Sequence, residues 1–278
     1  MKQKSSKIIF FDIDGTLIDT TGIISDKLMQ ALHKLKENGH EICLATGRSA
    51  DGQIEELRKI NWDGYVLGNG VYGEYKGKVV IHETIPTKDV KAFVTFTKEI
   101  PEMGIILEGN TGSYATKLGS QVAFEAMKKV AYYGKLSYEE FIDYFQVVDD
   151  LQTVESVNKM MYFNGGKYVK KMTEKFGKDL SFIPNSVTQS ASLDDGEIMK
   201  MGISKAVGIQ RVIEQAGYEQ KDVIAFGDGY NDLEMIEFAG IGVAMGNAVE
   251  PLKEKADLIT ASIHKEGIVK ALETLKLI

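Results

Sequence analysis

Short runs that are apolar at every position alternate with longer stretches in which apolar residues recur every three or four positions. Ile8-Ile9-Phe10-Phe11 is such a run, and it predicts a strand over 7–12 that is covered on both faces. Leu28, Leu32 and Leu35 form a helical stripe over 25–38, with Ser25 as its N-cap and Asn38-Gly39 as its stop. A second buried strand is expected over 41–45, a helix over 50–60 and a short third strand over 64–67. Residues 71–75 and 79–83 alternate around Lys76-Gly77, the pattern of a hairpin. The same rhythm returns late in the chain: helix 204–217, strand 222–226, helix 232–238, strand 241–244, helix 248–254, strand 257–259 and helix 265–275.

Between these two stretches the character changes. Helical patterns over 87–99, 120–132, 138–145 and 166–176 mix with shorter, less apolar strands over 104–108, 112–116, 158–163, 181–183 and 187–191. The simplest account is an α/β fold: a doubly wound, Rossmann-like parallel sheet built from 1–83 and 191–278, with a second α/β domain, 84–190, inserted into it. Hinges are expected near Thr84–Pro86 and Ala191–Asp194.

Charge and cysteine content narrow the function classes. The net charge of −7 disfavours nonspecific binding to nucleic acid or to an anionic membrane. No apolar stretch approaches the length of a membrane span, and Ile8–Phe11 is too short for a signal-peptide core. The single cysteine, Cys43, cannot form an internal disulfide, which suits a reducing cytoplasm. His33, His40, His82 and His264 are scattered without ligand spacing, so no catalytic histidine is expected.

Four segments carry candidate chemistry: Asp12-Ile13-Asp14-Gly15-Thr16-Leu17, Ala45-Thr46-Gly47-Arg48, Gly202-Ile203-Ser204-Lys205 and Gly227-Asp228-Gly229-Tyr230-Asn231-Asp232. Three of them follow directly on a predicted buried strand. In a doubly wound sheet such strand ends line one crevice. Asp12 and Asp14, two residues apart, would point to the same side of an extended chain and could divide labour as nucleophile and general acid/base. Read alone, Asp-x-Asp-Gly is equally a turn with capping acids; the buried strand feeding it shifts the balance. Thr46 offers a hydroxyl and Gly47 an approachable amide. Ser204 is the expected N-cap of the helix that Lys205 begins, which brings a charge and a positive helix end to one place. Asp228, Asn231 and Asp232 offer oxygen ligands, although Asn231 or Asp232 could simply cap the helix that follows. With phosphate nearby such donors suit Mg²⁺. Four aspartates in one crevice would repel one another without a cation.

This set of motifs resembles the haloacid dehalogenase superfamily, and within it the Cof-type hydrolases with a class IIB cap. Gly68-Asn69-Gly70, Met245-Gly246-Asn247-Ala248, Ala256-Asp257-Leu258-Ile259-Thr260 and the place of the insertion extend the resemblance over nearly the whole chain. It implies that Asp12 is the nucleophile and a metal ligand. Asp14 would be the general acid/base and would offer its main-chain carbonyl to Mg²⁺. Thr46, Gly47, Lys205 and Asn231 would hold the phosphoryl group, and Asp228 and Asp232 would complete the metal site. Two departures, Met199-Lys200 where relatives often have proline and Val71 where they often have alanine, touch none of these residues.

The expected activity is therefore Mg²⁺-dependent hydrolysis of small phosphorylated metabolites, sugar phosphates among them, through an aspartyl phosphate. A phosphomutase using the same intermediate is the alternative; dependence on a bisphosphate activator would mark it. A non-catalytic phosphometabolite binder would be marked by loss of a motif acid, and none is lost. No nucleic-acid or membrane partner is expected, and the oligomeric state is left open between monomer and weak dimer. Specificity is expected to reside in 84–190, as a cap that closes over the crevice.

Overall fold

The computed structural model describes residues 6–19, 22–49, 55–109, 112–129, 133–185 and 193–278. In chain order the elements are β1 (Ile8–Phe11), α1 (Asp26–Glu37), β2 (Glu41–Ala45), α2 (Glu55–Arg58), β3 (Gly64–Leu67), β4 (Tyr72–Tyr75) and β5 (Lys78–His82). Then come α3 (Thr87–Thr97), β6 (Gly104–Gly109), β7 (Gly112–Ala115), α4 (Lys117–Met127), α5 (Tyr138–Ile142), β8 (Phe145–Val147), β9 (Val157–Phe163), α6 (Val169–Phe176), β10 (Leu180–Pro184) and β11 (Gly196–Lys200). The last are α7 (Lys205–Ala216), β12 (Val223–Gly227), α8 (Leu233–Phe238), β13 (Ile241–Ala244), α9 (Glu250–Lys255), β14 (Leu258–Ile259) and α10 (Gly267–Thr274).

The chain divides into two compact units, Met1–His82 with Ser204–Ile278, and Glu83–Ile203. The first holds an eight-stranded sheet in the order β14-β13-β12-β1-β2-β3-β4-β5, parallel from β14 to β3 and antiparallel beyond. Side-chain alternation explains its unbroken apolar strands. Ile9, Phe11, Ile42, Leu44, Ile224 and Phe226 pack on one face with α1 and α10. Ile8, Phe10, Cys43, Ala45, Val223 and Ala225 pack on the other with α7, α8 and α9. Burial pushes the Cys43 thiol well above its ordinary range, so it is an inert core residue.

Several expected local devices are present. The Ser25 side chain accepts from the Leu28 N–H (3.1 Å) and caps α1. Lys76 and Gly77, both at positive φ (47° and 79°), turn the β4–β5 hairpin. The Trp62 indole donates to the Leu57 carbonyl (2.9 Å) within the core.

The second unit holds a six-stranded sheet, β10-β11-β9-β6-β7-β8. It corrects the expected boundary at residue 190, because β11 pairs antiparallel with both β9 and β10 and the unit runs on to Ile203. Glu197, the second residue of β11, is fully buried. A charged residue at that position hides the strand from any reading by hydrophobicity. The expected helix 138–145 is likewise shorter: α5 stops at Ile142, and Phe145–Val147 forms the edge strand β8 against β7. The expected strand 187–191, the start of the helix predicted over 50–60, the end of that predicted over 120–132 and the hinge position Ala191 lie outside the described residues.

Candidate active site

β12, β1 and β2 are adjacent and parallel, so the residues after them leave one edge of the sheet together. The sheet order reverses at β1, with β2 and β3 on one side and β12 to β14 on the other. That is the point where an open α/β sheet offers a crevice. The Asp12 N–H still donates to the Phe226 carbonyl (3.0 Å) and the Thr46 N–H to the Val66 carbonyl (2.9 Å). Both residues are thus pinned by the sheet ladder itself.

Lys205, the first residue of α7, is fully buried and reaches this edge. Its Nζ donates to Asp12 Oδ1 and to Asp232 Oδ1, each at 2.6 Å. Burial alone would lower the lysine; the two carboxylates outweigh it and hold it above its ordinary value. Ser204 occupies the cap position, but its side chain makes no capping hydrogen bond, contrary to expectation. Asp232 does not cap α8 either. Its Oδ2 accepts from the N–H groups of Asp228 and Gly229, both at 2.9 Å, and so fastens the acidic loop to the lysine.

Asp228 accepts from the buried Thr16 hydroxyl (2.8 Å). Gly15 explains how two loops come this close. It sits at φ 86°, and a Cβ there would stand 2.1 Å from Asp228 Oδ2. The Asn247 amide crosses the same gap, donating to the Gly15 carbonyl (2.8 Å).

Asp14 stands apart from its neighbour. The Arg48 guanidinium grips it bidentately, Nε to Oδ2 at 2.7 Å and Nη2 to Oδ1 at 2.6 Å, and its side chain is 45% exposed. The Thr46 hydroxyl, buried, accepts the Arg48 N–H (3.1 Å) and still has its own hydrogen to donate. Gly47 is buried between them. Asn231, half-buried, donates through Nδ2 to Asn69 Oδ1 (2.9 Å). Every residue expected from the sequence therefore borders this edge. The sequence reading missed Thr16, Arg48, Asn69 and Asn247 as participants. All four lie inside the quoted motifs, and only their partners, distant in the chain, disclose what they do.

Three of these acids form a donor set suited to a metal ion. Among the described residues, ligand oxygens of Asp12, Asp228 and Asp232 all lie within 4.8 Å of one another, and all three residues are buried. Asp14 contributes no carboxylate to this group. Burial pushes Asp12 well above the ordinary carboxylate range; Lys205 opposes this, and the carboxylates of Asp232, Asp228 and Asp14 add to it. Burial, with Asp232 next, pushes Asp228 up to about 7, against the Thr16 hydrogen bond and Lys205. One ammonium does not balance three buried carboxylates, and an all-oxygen set of this kind fits a hard divalent cation.

The chain is similar to several known proteins. A Streptococcus pyogenes protein, named as a candidate bifunctional phosphatase and peptidyl-prolyl cis-trans isomerase, is 30% identical over 280 residues; the match takes in 100% of this chain but only 55% of that longer protein. The 5-amino-6-(5-phospho-D-ribitylamino)uracil phosphatase YitU of Bacillus subtilis is 28% identical, covering 96% of each chain. The solved structure of BT4131, described as a subclass IIB sugar phosphatase, superposes with a TM-score of 0.77 at 26% identity, covering 98% of this chain and 100% of that one. Residues 9–272 match the family profile itself, and the chain belongs to the haloacid dehalogenase-like hydrolases.

Proposed function

We propose that the protein is a Mg²⁺-dependent phosphatase of small phosphorylated metabolites, sugar phosphates among them, that works through an aspartyl phosphate on Asp12. The observation that carries this reading is a buried carboxylate at the end of the central strand, held by a buried lysine and flanked by two further buried acids. The names of the related phosphatases support the same class.

In this reading an Asp12 carboxylate oxygen attacks phosphorus and the bond to the leaving oxygen breaks. Asp14 gives its proton to that oxygen, then takes one from the water that hydrolyses the aspartyl phosphate. Arg48 keeps Asp14 in place, and one arm of the guanidinium fork must open while Asp14 carries the proton. The Thr46 hydroxyl, the Gly47 amide, Asn231 and Lys205 hold the phosphoryl oxygens, with Lys205 also neutralising Asp12. Asp12, Asp228 and the main-chain carbonyl of Asp14 would hold the metal ion, with Asp232 supporting them. When bound, Mg²⁺ supplies positive charge that offsets the repulsion between carboxylate and phosphate. The core supplies every group this chemistry needs, so we assign choice of leaving group to the inserted unit, Glu83–Ile203.

The test is hydrolysis of a broad panel of phosphorylated metabolites with Mg²⁺ present. Release of phosphate from sugar phosphates or other small esters is expected, together with fluoroberyllate binding as an aspartyl-phosphate mimic. A panel on which nothing is hydrolysed would sink the proposal.

A further inference from the structure

The turn joining β3 to β4 is built more expensively than a turn requires. Gly68, Asn69 and Gly70 are all buried, and Asn69 holds a left-handed conformation, φ 58° and ψ 31°. Glycine adopts that conformation without steric cost, whereas a side chain there costs conformational free energy and, when buried, desolvation of its amide. The amide at 69 therefore calls for a compensating role, and its contacts supply one.

This turn touches three of the four motif segments. The Asn69 N–H donates to the Thr46 carbonyl, and the Gly68 N–H to the Arg48 carbonyl, both at 2.9 Å. Asn69 Oδ1 receives the Asn231 amide at 2.9 Å. Gly70, at φ 102°, lies so close to the residue before Lys205 that a Cβ would stand 2.0 Å from the Ser204 carbonyl oxygen. Thr46 and Lys205 are 159 residues apart in the sequence and Asn231 lies a further 26 beyond, yet this one turn contacts Thr46, Asn231 and the residue before Lys205.

We infer that Asn69 is a positioning residue that sets Thr46 and Asn231 in register with Lys205, so that the anion site is assembled by this turn as much as by the sheet. Its backbone fastens the strand end that carries Thr46. Its side chain fixes the rotamer of Asn231, which otherwise rides on a short 3-10 turn, Tyr230–Asp232. The kinetic part of this inference rests on the phosphatase reading; the structural part does not.

The experiment uses Asn69→Gly, which keeps the left-handed backbone and removes only the amide, with Asn231→Ala and the double variant. In a double-mutant cycle on the hydrolysis of a small phosphate ester, each single change is expected to lower kcat on the order of tenfold with KM within about twofold. The double variant is expected to be no worse than the weaker single. Hydrogen exchange gives a readout that needs no turnover: protection is expected to fall in 229–232 in Asn69→Gly while the rest of the sheet edge and the melting temperature hold. Additive losses in the cycle, or unchanged protection in 229–232, would overturn the inference. A wild-type protein without phosphatase activity would instead refute the phosphatase reading, and the exchange data alone would then decide the role of Asn69.

Discussion

Among the described residues, each unit buries one lysine between two carboxylates, and the two clusters are built for different ends. In the core, Lys205 bonds Asp12 and Asp232 at 2.6 Å each. In the inserted unit, Lys159 on β9 lies 3.3 Å from Glu108 on β6 and 3.3 Å from Glu197 on β11. The second cluster is a sheet feature. Glu108 is the cross-strand partner of Lys159, and Glu197, partnered with Met161, is its diagonal neighbour. Burial would lower Lys159, and the two glutamates reverse that. The core cluster is assembled instead from a strand end, a helix start and a loop, and it includes a third acid, Asp228. There the lysine leaves charge unbalanced, and Asp12 and Asp228 are both pushed upward. A lysine bridged by two glutamates within strands supports a fold; three buried carboxylates around one lysine at strand ends call for a further cation.

Substitutions in the two clusters should separate their roles, with the largest effect at Asp12. Asp12→Asn keeps the shape of the core cluster and removes the proposed nucleophile, so turnover should fall by at least about a thousandfold while the far-UV spectrum is unchanged. Substantial activity in the pure variant would show that Asp12 is not the nucleophile.

Metal removal comes next. Activity should be lost with EDTA, return with Mg²⁺ and be inhibited by Ca²⁺, whose longer bonds and larger ligand number favour bidentate capture of Asp12. Titration calorimetry should show Asp228→Ala weakening Mg²⁺ binding more than Lys205→Ala does. Full activity of a metal-free sample would contradict this account of the acidic excess.

Replacing each lysine separates the clusters directly. Lys205→Met strands two buried carboxylates and Lys159→Met strands buried Glu197 and half-buried Glu108, and each should cost about 3–5 kcal/mol in urea unfolding. Only Lys205→Met should also remove turnover; Lys159→Met should retain kcat on a small aryl phosphate within about threefold at a temperature where it is folded. An equal loss of kcat in both would mean that the inserted cluster takes part in the chemistry.

The smallest effect is expected when the inserted cluster is replaced whole. Lys159→Met combined with Glu108→Leu and Glu197→Leu removes the charges together, and its stability should lie within about 1–2 kcal/mol of the wild type. A triple variant as unstable as Lys159→Met alone would show that these charges do more than pair with one another.

Legibility in the sequence followed the same divide. β1, β2 and β12 are apolar on both faces, so their positions, and with them Asp12, Thr46 and Asp228 just beyond, could be read from the chain alone. β11 could not, because Glu197 is buried by virtue of a lysine 38 residues earlier. Nor could the edge strand β8, whose three residues carry too little pattern. The site residues were legible as types in order, since the proposed attack, proton transfer and metal binding each need a particular functional group. Their pairings were not. The grip of Arg48 on Asp14, the engagement of both Asp232 oxygens and the junction at Asn69 join residues whose proximity arises only when parallel strands align. By itself the sequence determined the strands of the core sheet, most of the helices and the chemical groups, because these depend on local periodicity and residue type. Only the tertiary structure decided which group meets which, because hydrogen bonds and buried charges are satisfied across the sheet rather than along the chain.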